Sequence, residues 1–170
     1  RPIEGRQSPF AEKVNEPRER PQEEDVIILE RLETQLFGHF PQQIHTAKGL
    51  TLVRADILDM PTTCTGFAVP GAGTDWLLIP SGVVMRLRWA ALMILTDDEA
   101  RQLLRLDEFP SYFTMLLSEI ILWFGVEFIL GHELGHVRES HTRLAAHLSD
   151  KDYSIAELVA DAYAARHMVQ

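Results

Sequence analysis

The sequence predicts an α+β fold, with a small, mostly antiparallel sheet in its first half and a helical second half. Three observations predict it. Short β-prone runs bounded by Gly and Pro cluster between residues 50 and 80, helical periodicity runs from residue 81 to near the end, and an amphipathic helix precedes the sheet. A chain of 170 residues, 46% hydrophobic and 24% charged, suits one domain with a real core.

Residues 1–25 hold four prolines, many Glu and Arg and almost no large apolar side chains. Burial cannot offset the ordering entropy of such a segment, so it is expected to be a flexible lead-in to a domain spanning 26–170. From Val26 the pattern changes. Leu29, Leu32, Leu36 and Phe40 recur at helical spacing opposite Glu30, Arg31 and Glu33, which predicts an amphipathic helix ending near Gly38, before Pro41.

The sheet is expected from "LTLVRADIL" at 50–58, "TGFAV" at 65–69 and, after the turn "PGAGT", "DWLLIP" at 75–80. "SGVVMRLRWAALMIL" is apolar on most sides and predicts a largely buried helix. "TDDE" at 96–99 has capping-box spacing for a short helix through Leu106. Pro110 and Ser111 then introduce "YFTMLLSEIILWFGVEFIL", which approaches the length that spans a bilayer. Glu119 and Glu127 interrupt it on nearly one face, and each acid at a bilayer centre would cost roughly 2.5–3.5 kcal/mol. A helix buried in a soluble core is therefore the expectation, and a membrane the less favoured one.

The net charge of −9 argues against broad affinity for nucleic acid or an anionic membrane. Cys64 is the only cysteine, so no intramolecular disulfide can form, which fits a reducing, cytoplasmic location. "PTTCTG" offers Cys64 no second Cys and no nearby His, so it reads as an ordinary thiol rather than a metal ligand.

Chemistry concentrates in "ILGHELGHVRES" at 129–140. On a helix His132 and His136 share a face, so two neutral imidazoles can address one Zn²⁺ ion. Glu133 follows the first histidine, where its carboxylate can take a proton from a water at the ion's open position. H-E-x-x-H arises by chance in roughly 2–3% of shuffled chains of this composition, so a third ligand is needed. Thr142 and Glu139 stand where a metzincin pattern requires His and Gly, so that pattern fails. His141, five after His136, would point away from the ligand face if the helix persisted.

"SIAELVADAYAARHM" supplies a carboxylate instead. Glu157 and Asp161, four apart, share a face, so Glu157 could bind zinc while Asp161 accepts the outward N–H of a ligand histidine. Ala156, Ala160 and Ala164 form a small-residue stripe beside these acids. Gly131 and Gly135 offer the same closeness from the first helix. Against this stands a plain alternative: Ser154 and Glu157 also have capping-box spacing.

His132-Glu133-Leu134-Gly135-His136 followed by Glu157-Leu158-Val159-Ala160-Asp161 resembles the H-E-x-x-H … E-x-x-x-D signature of gluzincin metallopeptidases. Within that group the last 60 or so residues are similar to bacterial phage-exclusion (Lit-type) peptidases and to ImmA/IrrE-type regulatory peptidases. The resemblance implies a zincin-like helical core, a zinc cofactor held by His132, His136 and Glu157, Glu133 as general base and acid, and Asp161 supporting a ligand. It also implies a protein or peptide substrate added to an edge strand, for which "DWLLIP" is the candidate. An oxyanion donor is expected among Tyr153, Tyr163, His141, His147 and His167. Gluzincins usually continue into a C-terminal subdomain that forms the far wall of the cleft, so the resemblance leaves three expectations: a compact member, a fragment of a longer chain, or a wall supplied by a partner chain.

The function this implies is zinc-dependent hydrolysis of peptide bonds. Two readings stand beside it: a non-catalytic regulatory or interaction module with a structural zinc site, and a membrane-associated metallopeptidase.

Overall fold

In the computed structural model, residues 23–39, 42–46, 48–63, 65–144 and 147–168 are described. The lead-in up to residue 22 and Cys64 lie outside them. Helix α1 (Glu23–Gln35) starts three residues before the first apolar position, and a 3-10 turn, Phe37–His39, follows it. Leu32 is fully buried on its inner face.

Strands β1 (Gln42–Thr46), β2 (Gly49–Leu58), β3 (Phe67–Val69) and β4 (Thr74–Pro80) form one sheet in the order β1-β2-β4-β3. β1 and β2 pair antiparallel, as do β3 and β4, whereas β2 and β4 run parallel. The parallel pair arises because β3 leaves one place empty beside β2 and β4 returns to fill it. "DWLLIP" is therefore the inner strand β4, paired on both sides, and cannot accept a further strand. The free edge on that side is β3, from "TGFAV". β1 was not anticipated, since "QQIHT" has a single large apolar residue to mark it.

Side chains alternate across the pleat. Val53 registers with Asp75, Ala55 with Leu77 and Ile57 with Ile79, placing these six on the face that meets the helices. Leu77, Ile79 and Val53 are fully buried there.

Pro80 leads directly into α2 (Ser81–Thr96). The capping box expected at Thr96 is not formed. The Thr96 hydroxyl donates to Leu92 O within α2 (2.8 Å), and Asp97 caps the short α3 (Asp98–Leu103) by accepting from Ala100 N (2.9 Å). Next come α4 (Ser111–Arg138), α5 (His141–Leu144) and α6 (Asp150–His167). The core joins Leu122, Val126, Leu130, Leu134 and Val137 of α4 to the sheet, to Val83 and Val84 of α2 and to Leu32 of α1.

Burial of the two apolar helices is partial, contrary to the sequence expectation. α2 buries its first turn with Ala91 and Leu95, while Leu92 and Ile94 are exposed. α4 is long and apolar enough to cross a membrane by length and composition, and only 22% of its most apolar window is buried. Tyr112, Met115, Leu116, Ile120 and Phe124 face outward. Glu119 lies on the same side, 3.9 Å from Arg31 of α1.

α4 and α6 pack closely. A Cβ at Gly131 would stand 3.0 Å from Ala164 Cα, and one at Gly135 would stand 3.0 Å from Ala160 Cα. Ala156, Ala160 and Ala164 are buried against them. A glycine inside a helix costs about 1 kcal/mol, and here the missing side chains bring two backbones together. That approach sets the distance between the motifs on the two helices.

Candidate metal centre

The second half of α4 presents His132 and His136 one turn apart, and α6 presents Glu157 and Asp161 opposite them. The Nε2 atoms of the two histidines lie 3.0 Å apart. Glu157 Oε2 is 3.3 Å from His132 Nε2, and Oε1 is 3.3 Å from His136 Nε2. Asp161 Oδ1 is 2.9 Å from His132 Nδ1. A carboxylate only accepts, so this contact puts a proton on Nδ1, and in the neutral imidazole Nε2 is then the nitrogen free to ligate.

His132, His136 and Glu157 thus form a group that could hold a metal ion. The donor set fits one. Ligand bonds of about 2.0–2.1 Å in a tetrahedron place donor atoms roughly 3.3 Å apart, and the observed spacings are 3.0 to 3.3 Å. Two ring nitrogens and two carboxylate oxygens this close require a proton or a cation among them. Burial is the largest influence on His136 and lowers its pKa, favouring the neutral imidazole that ligates metals, although Glu157 pulls the other way.

The capping-box alternative for Glu157 is removed by the position of the helix start. α6 begins at Asp150 with Ser149 as its cap, accepting from Asp152 N (3.3 Å). Ser154 lies a turn inside, its hydroxyl donating to Asp150 O (3.0 Å).

Glu133 is 8% exposed. Burial raises its carboxyl pKa above the ordinary 4.5, and Glu157 adds to this. His132 and a hydrogen bond from the Ala68 backbone N–H oppose the shift. Ala68 belongs to the edge strand β3, so the acid on α4 is tied to the strand that borders the site.

Histidines and tyrosines that the sequence could not rank are separated by the fold. His141 does not point away. α4 ends at Arg138, and Ser140 adopts a left-handed φ of 61° that turns the chain back. His141 Nδ1 then lies 3.2 Å from His136 Nδ1, the nitrogen facing away from the cluster. Tyr153 lines the cavity near Glu157, whose negative charge is the main cause of its raised pKa. Tyr163 and His167 stack on each other away from the cluster, with ring centroids 5.9 Å apart. His147 does not line the cavity.

That cavity, of about 680 Å³, is bordered by Thr65 to Ala68, by Phe128 and Ile129 of α4, by His141, Thr142, Leu148 and Tyr153, and by the cluster itself. Among the described residues, three carboxylates line it, from Glu133, Glu157 and Asp161, and no Lys or Arg does. Arg143 lies behind this wall. Its guanidinium donates to Asp75 Oδ1 (2.7 Å) and to Gly71 O (3.2 Å), a contact no local pattern in the sequence signals.

Set beside known proteins, the chain matches no family model, no curated protein and no solved structure.

Proposed function

We propose that this chain is a zinc-dependent endopeptidase of the gluzincin arrangement, with His132, His136 and Glu157 as zinc ligands and Glu133 as general base and acid. One observation carries the reading: two imidazole nitrogens and a carboxylate meet at tetrahedral spacing beside a buried glutamate, in an open cavity. Zinc, when bound there, supplies Lewis-acid activation of a water and of the scissile carbonyl. Glu133 takes a proton from the attacking water and returns it to the departing amine nitrogen. Its raised pKa brings it closer to the working pH of a base, while His132 and the Ala68 N–H favour its anionic form.

Asp161 fixes the tautomer and orientation of His132 by accepting its Nδ1–H. The Tyr153 hydroxyl, beside Glu157 at the cavity wall, is placed to donate to the developing oxyanion. An extended peptide would add to the outer edge of β3, with its side chains meeting Phe67, Phe128 and Leu148. Glu133→Gln tests the mechanism. The variant should bind zinc as the parent does and lose peptide cleavage; unchanged turnover would remove Glu133 from the reaction.

A second reading, a membrane-associated peptidase, is favoured by the outward apolar side of α4, only 22% of whose most apolar window is buried. Flotation with neutral phosphatidylcholine vesicles distinguishes it. Co-flotation supports membrane association, and a protein that stays soluble without detergent and does not float speaks for the soluble form.

A further inference from the structure

The four residues 140–143 after α4 each do something different, and one of them holds the others in place. Ser140 turns the chain, His141 meets the outward nitrogen of His136, Thr142 lines the cavity, and Arg143 reaches across to the β3–β4 turn. We propose that Arg143 is a positioning residue: anchored on buried Asp75, it holds His141 against His136 and so sets the affinity of the metal centre. This rests on the zinc reading above.

Asp75 is 1% exposed on the inner face of the sheet. Its Oδ1 accepts from the Gly71 backbone N–H (3.1 Å) and from the Arg143 guanidinium (2.7 Å). A buried carboxylate needs such a partner, so the anchor is strong. The same guanidinium nitrogen donates to Gly71 O, so Arg143 grips the turn by a side chain and by its backbone. Only one residue separates Arg143 from His141, so whatever fixes the guanidinium limits where the imidazole can sit.

Backbone bonds from Ser140 N to Val137 O (3.0 Å) and from Arg143 N to Ser140 O (3.2 Å) shape this turn, and the Arg143 side chain ties it to the sheet. Ser140 sits in the left-handed region without being glycine, and its buried hydroxyl finds no partner among the described residues. α5 is a single turn of four residues. Without the anchor, His141 loses its register with His136. The two candidate ligands then differ in support: the outward nitrogen of His132 keeps the carboxylate of Asp161, while that of His136 meets, among the described residues, the imidazole of His141. Losing an outer hydrogen-bond partner typically weakens metal binding 10- to 100-fold.

The test measures zinc affinity, by competition with a chromophoric chelator, for the parent, His141→Ala, Arg143→Ala, the double variant and Arg143→Lys. Helical circular dichroism confirms that each is folded. Arg143→Ala should bind zinc about 10-fold more weakly, Arg143→Lys should recover most of the loss, and the double variant should bind no more weakly than His141→Ala alone. A side chain that served only folding would lower melting and leave affinity unchanged. If Arg143→Ala fails to fold, the combined Asp75→Asn, Arg143→Met variant removes both charges without stranding either, and it should show the same 10-fold loss. Parent-like affinity in folded Arg143→Ala or in the combined Asp75→Asn, Arg143→Met variant, or losses that multiply fully in the double variant, overturns the proposal while leaving the zinc reading intact. A parent that binds no zinc overturns both.

Discussion

Replacing Gly135 with alanine puts one methyl group where α4 and α6 touch. Its carbon would lie 3.0 Å from Ala160 Cα, 3.2 Å from Tyr163 Cβ and 3.3 Å from Ala160 O. Ordinary contacts between carbons begin near about 3.5 Å, so α6 must retreat by roughly half an ångström. Two of the three neighbours are backbone atoms, which cannot swing aside. Overpacking of this kind costs about 1–3 kcal/mol, and alanine returns about 1 kcal/mol of helix propensity. The balance is a loss of about 1 kcal/mol, or roughly 2–4 °C in Tm for a domain of this size.

The metal centre should respond more than the fold does. Ala160 lies less than one turn from Glu157, so the carboxylate moves with the helix. Metal ligands tolerate only about 0.2 Å, and zinc affinity should fall by about 10-fold. Melting of the metal-free protein and chelator competition read the two effects separately. Gly38→Ala is the control, because a Cβ there meets nothing within 4 Å and its stability should stay within about 0.5 kcal/mol. A Gly135→Ala variant that melts higher than the parent and binds zinc as tightly would refute the close packing on which the centre depends.

Other expectations follow from single residues. Ser140→Gly relieves the left-handed strain and removes a buried hydroxyl without a partner among the described residues, so it should stabilise the fold by about 1 kcal/mol, visible as a higher Tm. Because burial raises the Glu133 pKa above its unfolded value of 4.5, the folded state binds that proton more tightly, and its stability, fully present below 4.5, falls as pH rises from there through the higher folded value. Metal-free Glu133→Gln should therefore melt above the parent near about pH 7, with the gap closing near about pH 4; equal melting at both would contradict the burial argument. Tyr153→Phe should leave melting within about 0.5 kcal/mol, the residue being 53% exposed, and lower kcat/KM about 10- to 100-fold, the worth of one hydrogen bond to a developing charge.

What the sequence revealed and what it hid divide along physical lines. The pairing of His132 with His136, and of Glu157 with Asp161, follows from helical periodicity, which is local. The small stripe Ala156, Ala160 and Ala164 with Gly131 and Gly135 announced the close helix pair, because few other roles suit small residues at that spacing. Strand order is not local. "DWLLIP" was nominated for its place just before the helical half, yet it takes an inner position between β2 and β3, and the edge on that side fell to the short "TGFAV". His141 stays outside the ligand group, as expected, but the condition that the helix persists is not met: Ser140 takes the left-handed turn and brings His141 to the outer nitrogen of His136. The Arg143–Asp75 pair spans 68 positions and leaves no periodic trace. The apolar run of α4 was expected to be buried, but composition does not say which side of a helix finds a neighbour, and much of its first half finds none among the described residues.

The most direct test of the account is metal analysis of the purified chain beside its His132→Ala and Glu157→Ala variants, each dialysed against the same zinc solution. The account predicts one equivalent of zinc in the parent and its loss from both variants, with helical content retained. A folded parent that holds no zinc, or a Glu157→Ala variant that keeps a full equivalent, would contradict it.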